Sequence, residues 1–238
     1  MYNTINYSMT ISKLFINGCS FLTTRPKAGV NTHSGIELAK LMDLEIVCNL
    51  AGGGRGNSRT SFTTKLWCER NPEVAKTCLF YIGITSGTRF DYPTNDGYKG
   101  YKFKALKTTW KTYSLNKDSE CKTFFKYLMR TGADLDQLVQ IESIDNALAL
   151  QNYFEVKKYP YVMYKSISDT PIIAKDVKVL FDAIDKTRFF KPETSHYDYI
   201  LENKLVANMA DPHPNTQGHI EWATQLKEFI DANNLRTI

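Results

Sequence analysis

The chain has 238 residues, 42% of them apolar, enough for the core of one large α/β domain or two small ones. Its formal net charge of +5 is too small an excess to point to nucleic acid as a partner. No apolar run approaches the roughly 18 residues of a membrane span, and positions 1–11 lack the basic flank and apolar centre of a secretory leader, so a cytoplasmic protein with no membrane partner is expected.

Leu14 to Asn17, Glu45 to Leu50 and Leu79 to Thr85 are short apolar runs that end in small or polar residues, the pattern of parallel strands buried on both faces. Between the first two, Ser34 to Met42 carries Ile36, Leu38, Ala39, Leu41 and Met42 and reads as a helix. Between the next two, Ser58 to Lys76 is helix-compatible, with Pro72 interrupting it. This is the βαβ rhythm. Asp118 to Arg130 and Asp134 to Lys157 read as further helices, the second with Leu135, Leu138, Ile141, Ile144 and Leu148 at three- and four-residue spacing. Tyr161 to Tyr164 is a fourth strand and Arg188 to Phe190 a fifth, with helices at Ala174 to Lys186 and Thr216 to Ala232. A single α/β domain over residues 1–238, a three-layer α/β/α sandwich around a mostly parallel sheet of about five strands, accommodates every element.

Residues 89–115 break the rhythm. This segment is too long for an ordinary strand-to-helix connection of about two to six residues and reads as an insertion beside the sheet's C-terminal edge, where α/β ligand sites form. Within it, Tyr98 to Tyr113 places five lysines among five aromatic residues with no acid. Two readings stay open: stacking on sugars or bases, or aromatics packed on the domain beneath solvated lysines.

The residues that carry chemistry lie at opposite ends of the chain. Ser20 closes the first apolar stretch (KLFINGCS), and Asp211-Pro212-His213-Pro214-Asn215 comes near the end, followed by Gly218-His219. A serine hydroxyl is a weak nucleophile at pH 7, so it needs a base to take its proton, and the base needs an acid to fix its tautomer. His213 and Asp211 suit those posts, one residue apart in a turn stiffened by two prolines. Taken singly, each has a plainer reading as a turn residue, a solvated ring and a cap.

The joint pattern resembles the SGNH, or GDSL-type, hydrolase family. Gly18-Cys19-Ser20-Phe21 is similar to its nucleophile block, with Cys in place of the usual Asp. Gly52-Gly53-Gly54-Arg55-Gly56-Asn57 is similar to its glycine block, and the last block matches Asp211 to Asn215 with Gly218-His219. The family's third block, Gly-x-Asn, is replaced here by Gly83-Ile84-Thr85-Ser86 followed by Arg89, so the side-chain amide that would donate to an oxyanion is missing. The resemblance implies a flavodoxin-like fold and a serine esterase or acylhydrolase acting on a small-molecule or carbohydrate ester, carbohydrate O-deacetylation included. Ser20 is its nucleophile, His213 its base and Asp211 the residue that orients the base. Gly54, Thr85, Ser86, Asn57 and Arg89 would serve as oxyanion or substrate contacts. No cofactor and no metal are expected, and virion association is open should the chain be phage-encoded. The competing class is a catalytically inactive relative that binds carbohydrate or another polyanion.

Four further residues complete the reading. Cys19, beside Ser20, points by strand alternation towards the core rather than serving as a thiol nucleophile. His219 reads as a structural or capping residue rather than a metal ligand, because no cysteine or other histidine cluster accompanies it. His33 and His196 lie in polar stretches and are expected at the surface. The five cysteines, an odd count without close pairs, are expected to be reduced.

Overall fold

The computed structural model describes residues 11–94, 109–114, 119–167, 175–210 and 212–236. In chain order the elements are β1 (Lys13–Asn17), α1 (Ser34–Met42), β2 (Glu45–Asn49), α2 (Asn57–Arg70), α3 (Pro72–Ala75), β3 (Cys78–Ile84), β4 (Arg89–Thr94), β5 (Thr109–Ser114), α4 (Ser119–Arg130), α5 (Leu135–Lys157), β6 (Tyr161–Lys165), α6 (Lys175–Asp182), β7 (Phe189–Phe190), α7 (His196–Glu202) and α8 (Thr216–Ala232). Five strands form one parallel sheet in the order β2-β1-β3-β6-β7. The fold is an α/β/α sandwich.

The period of two along each strand sorts side chains between the layers. Phe15, Phe80, Ile82, Tyr161 and Met163 face one core, with Ile144, Leu150 and Phe154 of α5 and Cys68 of α2. Leu14, Ile16, Tyr81, Val162 and Tyr164 face the other, with Leu38 of α1 and Trp222 and Leu226 of α8. Each fully buried large apolar side chain contributes about 1.5–3 kcal/mol relative to exposure. Trp222, Tyr81, Tyr161, Tyr164 and Phe80 are among the largest side chains that are almost completely sequestered.

Three differences from the sequence reading have physical causes. β2 is not buried on both faces; it is an edge strand, and Ile46 is 37% exposed. Residues 89–115 supply an antiparallel pair, β4 with β5, in register from Arg89↔Ser114 to Thr94↔Thr109. A short helix, α7, follows β7 and is started by a capping box in which Ser195 and Asp198 bond reciprocally. Among the described residues no helix is long and apolar enough to cross a membrane.

Candidate active site

The turn carrying Ser20 is built from the C-terminal end of β1. Gly18 has φ +148°, and a Cβ there would stand 2.8 Å from the carbonyl oxygen of Gly83, so β1 leaves the sheet through a residue that only glycine fits. Asn17, fully buried, ties the turn to α2: its Oδ1 accepts from the Gly18 amide at 2.9 Å, and its Nδ2 lies 2.9–3.1 Å from Thr60 O, Thr63 Oγ1 and Thr64 Oγ1. Cys19 is extended and buried beside Phe21 and Ile200. Ser20 opens a single 3-10 turn, Ser20–Leu22, and is half-buried.

His213 reaches this turn from the segment before α8. Val206 bridges to Pro214, and the Ala207 amide donates to the His213 carbonyl at 2.8 Å, which fixes the backbone on both sides of the ring. Asn215 caps α8 by accepting from the Gly218 amide. The Nε2 of His213 lies 2.8 Å from Ser20 Oγ, and the Phe21 ring packs on the imidazole at 5.1 Å between centroids. For the hydroxyl to donate along this contact, the neutral ring must carry its proton on Nδ1. Asp211 lies outside the described residues.

Two loops flank the turn. The Gly52 amide donates to the Gly18 carbonyl at 3.2 Å, joining the glycine loop to the nucleophile turn. Gly54, at φ +73°, is exposed, with nothing within 4 Å of where a Cβ would stand. Asn49, at the end of β2, donates to the Leu22 carbonyl, accepts from the Ala51 amide and lies 3.1 Å from His33 Nε2, so one side chain ties together the nucleophile turn, the glycine loop and the start of α1.

Asn57 does the same for the end of β3. Its Oδ1 accepts from the Thr85 amide at 2.8 Å and its Nδ2 donates to the Thr85 carbonyl at 2.9 Å, with Glu142 Oε2 and Ser143 Oγ also in reach. The carboxamide thus continues the ladder on the side that β1 has vacated at Gly18. At 1% exposure it is engaged with protein groups rather than presented to solvent. Thr85 and Ser86 are buried; Thr85 Oγ1 accepts from Arg89 Nη1 at 3.0 Å, and Ser86 Oγ pairs with Thr88 Oγ1 at 2.7 Å.

The β4–β5 pair is seated against the glycine loop by Asp91. Its carboxylate accepts from the Gly56 amide at 2.7 Å and from Thr112 Oγ1, in the field of Arg59 and Arg55. Burial pushes this carboxyl above its ordinary range, the hydrogen bonds and the two guanidinium groups opposing that rise. A Cβ on Gly56 would meet the Arg89 carbonyl at 2.3 Å, so the backbones are in direct apposition.

The remaining histidines are interior residues, contrary to the expectation for His33 and His196, which are 3% and 0% exposed. His196 stacks on Trp222 at 4.3 Å between ring centroids, and its pKa is driven well below the ordinary value by burial and then by His219. Burial lowers His33 to about 4 and His219 to about 3, the latter with help from His33 and His213. These rings pack as neutral aromatic groups around the site. Among the described residues no group of three or more His, Cys, Asp or Glu is arranged to hold a metal.

No protein-family model matches the chain, and no curated protein sequence matches it. Solved structures do. Protein YxiM from Bacillus subtilis superimposes with a TM-score of 0.50 at 11% identity, covering 97% of this chain and 59% of that one. The likeness is one of fold. A mutant of esterase AlinE4 gives a TM-score of 0.44 at 12% identity, covering 94% of this chain and 98% of that one. The chain spans 59% of the length of YxiM, so that structure includes a substantial part with no counterpart here.

Proposed function

We propose that this protein is a serine esterase or acylhydrolase of the SGNH type that cleaves a small-molecule or carbohydrate ester through an acyl-enzyme on Ser20. One observation carries the reading: the 2.8 Å approach of Ser20 Oγ to His213 Nε2 across 193 positions of sequence. Such a contact supplies what an unactivated hydroxyl lacks.

Ser20 Oγ attacks the ester carbonyl while His213 Nε2 takes its proton. The carbonyl π electrons move onto oxygen, giving a tetrahedral oxyanion beside the amides of Ser20 and Gly54 and a hydroxyl from the Thr85-Ser86 pair. Collapse breaks the bond to the alkoxy group, which leaves as an alcohol with the proton from His213. Water then attacks the acyl-serine, His213 again taking and returning the proton, and the carboxylic acid departs. Asp211 is assigned the orientation of His213 by the resemblance alone.

Turnover of para-nitrophenyl acetate by wild type, Ser20→Ala and His213→Ala tests the mechanism. Loss of the base is expected to lower kcat by about 10²–10⁴-fold. Equal turnover by all three proteins removes the mechanism, and a fluorophosphonate that fails to label wild type would turn the assignment towards a non-catalytic binder.

A further inference from the structure

One hydroxyl at the end of β3 has a hydrogen with no acceptor among the described residues. Thr85 Oγ1 accepts from Arg89 Nη1 at 3.0 Å, and a guanidinium only donates, so the Thr85 O–H must be directed elsewhere. Ser86 differs. Its Oγ is held in a local turn, paired with Thr88 Oγ1 at 2.7 Å and accepting from the Thr88 amide at 3.2 Å.

The position of Thr85 is fixed independently of its hydroxyl. Asn57 grips its amide and carbonyl, and two residues earlier Gly83 lies against Gly18, which itself precedes Ser20 by two. The unsatisfied hydroxyl therefore belongs to the loop immediately beside the nucleophile turn. Resting on the serine-hydrolase reading, we infer that Thr85 is the side-chain oxyanion donor and that Arg89 is its positioning residue. The guanidinium orients the hydroxyl by occupying a lone pair and polarises the O–H it leaves free. In the transition state that hydrogen bonds to the developing oxyanion; no proton is transferred. The pair supplies with a cation behind it the hydrogen bond that a neutral carboxamide gives in the family this chain resembles.

The test is steady-state hydrolysis of para-nitrophenyl acetate by wild type, Ser20→Ala, Thr85→Val, Thr85→Ser, Ser86→Ala, Arg89→Met and the Thr85→Val/Arg89→Met double variant, with thermal unfolding of each. Thr85→Val is expected to lower kcat by about 10²–10³-fold with KM little changed. Thr85→Ser should restore most of the rate, and Ser86→Ala should lower kcat by less than Thr85→Val; the reverse order would move the donor to Ser86 and overturn the assignment. Arg89→Met should lower kcat by less than Thr85→Val and add little to it in the double variant, since Arg89 acts through Thr85. Wild-type kcat in Thr85→Val with an inactive Ser20→Ala overturns the Thr85 assignment alone, whereas wild-type turnover by Ser20→Ala overturns the hydrolase reading and this inference with it. Additive losses, or a rise confined to KM in Arg89→Met, overturn the positioning role. Should Thr85→Val not fold, the kcat-against-KM split in Arg89→Met decides: an unchanged kcat there also overturns the pair.

Discussion

Lowering the pH from about 7 to about 4.5 protonates, in the unfolded chain, histidines that the fold holds neutral, and the cost can be worked from two of them. His33 is held at about 4 and His219 at about 3, against an ordinary 6.5, with burial the first cause in both. A group whose folded pKa is depressed contributes its full stability above the unfolded pKa, and that contribution falls as the pH drops through the window from 6.5 towards the folded value. Each pH unit within the window costs about 1.4 kcal/mol per group, so two units remove up to about 2.7 kcal/mol per ring and about 5 kcal/mol for the pair. Burial and His219 push His196 in the same direction. Asp91, raised by burial, works in the opposite sense as its carboxyl protonates. Against a typical domain stability of about 5–15 kcal/mol, the histidines are large enough to bring acid unfolding into the range near pH 4–5. Urea titrations followed by circular dichroism at half-unit pH steps measure this, and His219→Gln should flatten the slope by about one proton. A stability that stays level from pH 7 to 5, or an unchanged slope in both His219→Gln and His33→Asn, refutes the reasoning.

Asn57→Ala leaves the Thr85 amide and carbonyl without their partner; at about 1–3 kcal/mol for each stranded group, the urea midpoint should fall clearly, and kcat should fall with it. Gly18→Ala must place a methyl group 2.8 Å from the Gly83 carbonyl at φ +148°, and loss of esterase activity is the expected result in the para-nitrophenyl acetate assay. Asp91→Ala removes the acceptor of the Gly56 amide and of the Thr112 hydroxyl; at about 1–3 kcal/mol for each stranded group, the midpoint of the same urea titration should fall clearly.

The main sheet is legible because its central strands obey the simplest rule available. Leu14 to Asn17 and Leu79 to Thr85 are unbroken apolar runs, and a segment apolar at consecutive positions must be covered on both sides. The same rule overstates β2, since its residues carry no mark of the edge position that opens Ile46 to solvent. β4 and β5 pair with each other and not with the main sheet, so Arg89–Thr94 and Thr109–Ser114 need no apolar run, and the one turn dipeptide in residues 95–108, Asp96-Gly97, is not flanked on both sides by the alternating apolar residues that announce a hairpin. Helix α7 does carry a signal: Ser195 and Asp198 stand at the spacing of a capping box.

At the site, Ser20 and His213 can be picked out because their chemistry is distinctive. The three asparagines cannot. Asn17 and Asn49 act on groups from 16 to 47 positions away or one or two residues along the chain, and nothing in their neighbours marks an amide as a clamp. Asn57 stands where the resemblance suggests a substrate contact, and its hydrogen bonds to Thr85 are a clamp on the β3 end that the resemblance does not announce. The histidines show the same limit: the partner that buries His196 is Trp222, far along the chain on a different helix.

Asp91 with Gly56 and Thr112, and the Arg89 carbonyl against Gly56, seat β4 and β5 against the glycine loop through residues of the paired segments themselves. A graft that exchanges only residues 95–108 between them would keep this anchorage, along with the Arg89–Thr85 bond. Anchorage and intervening sequence are thus separable, which makes that stretch a natural place to vary in a library built on this scaffold.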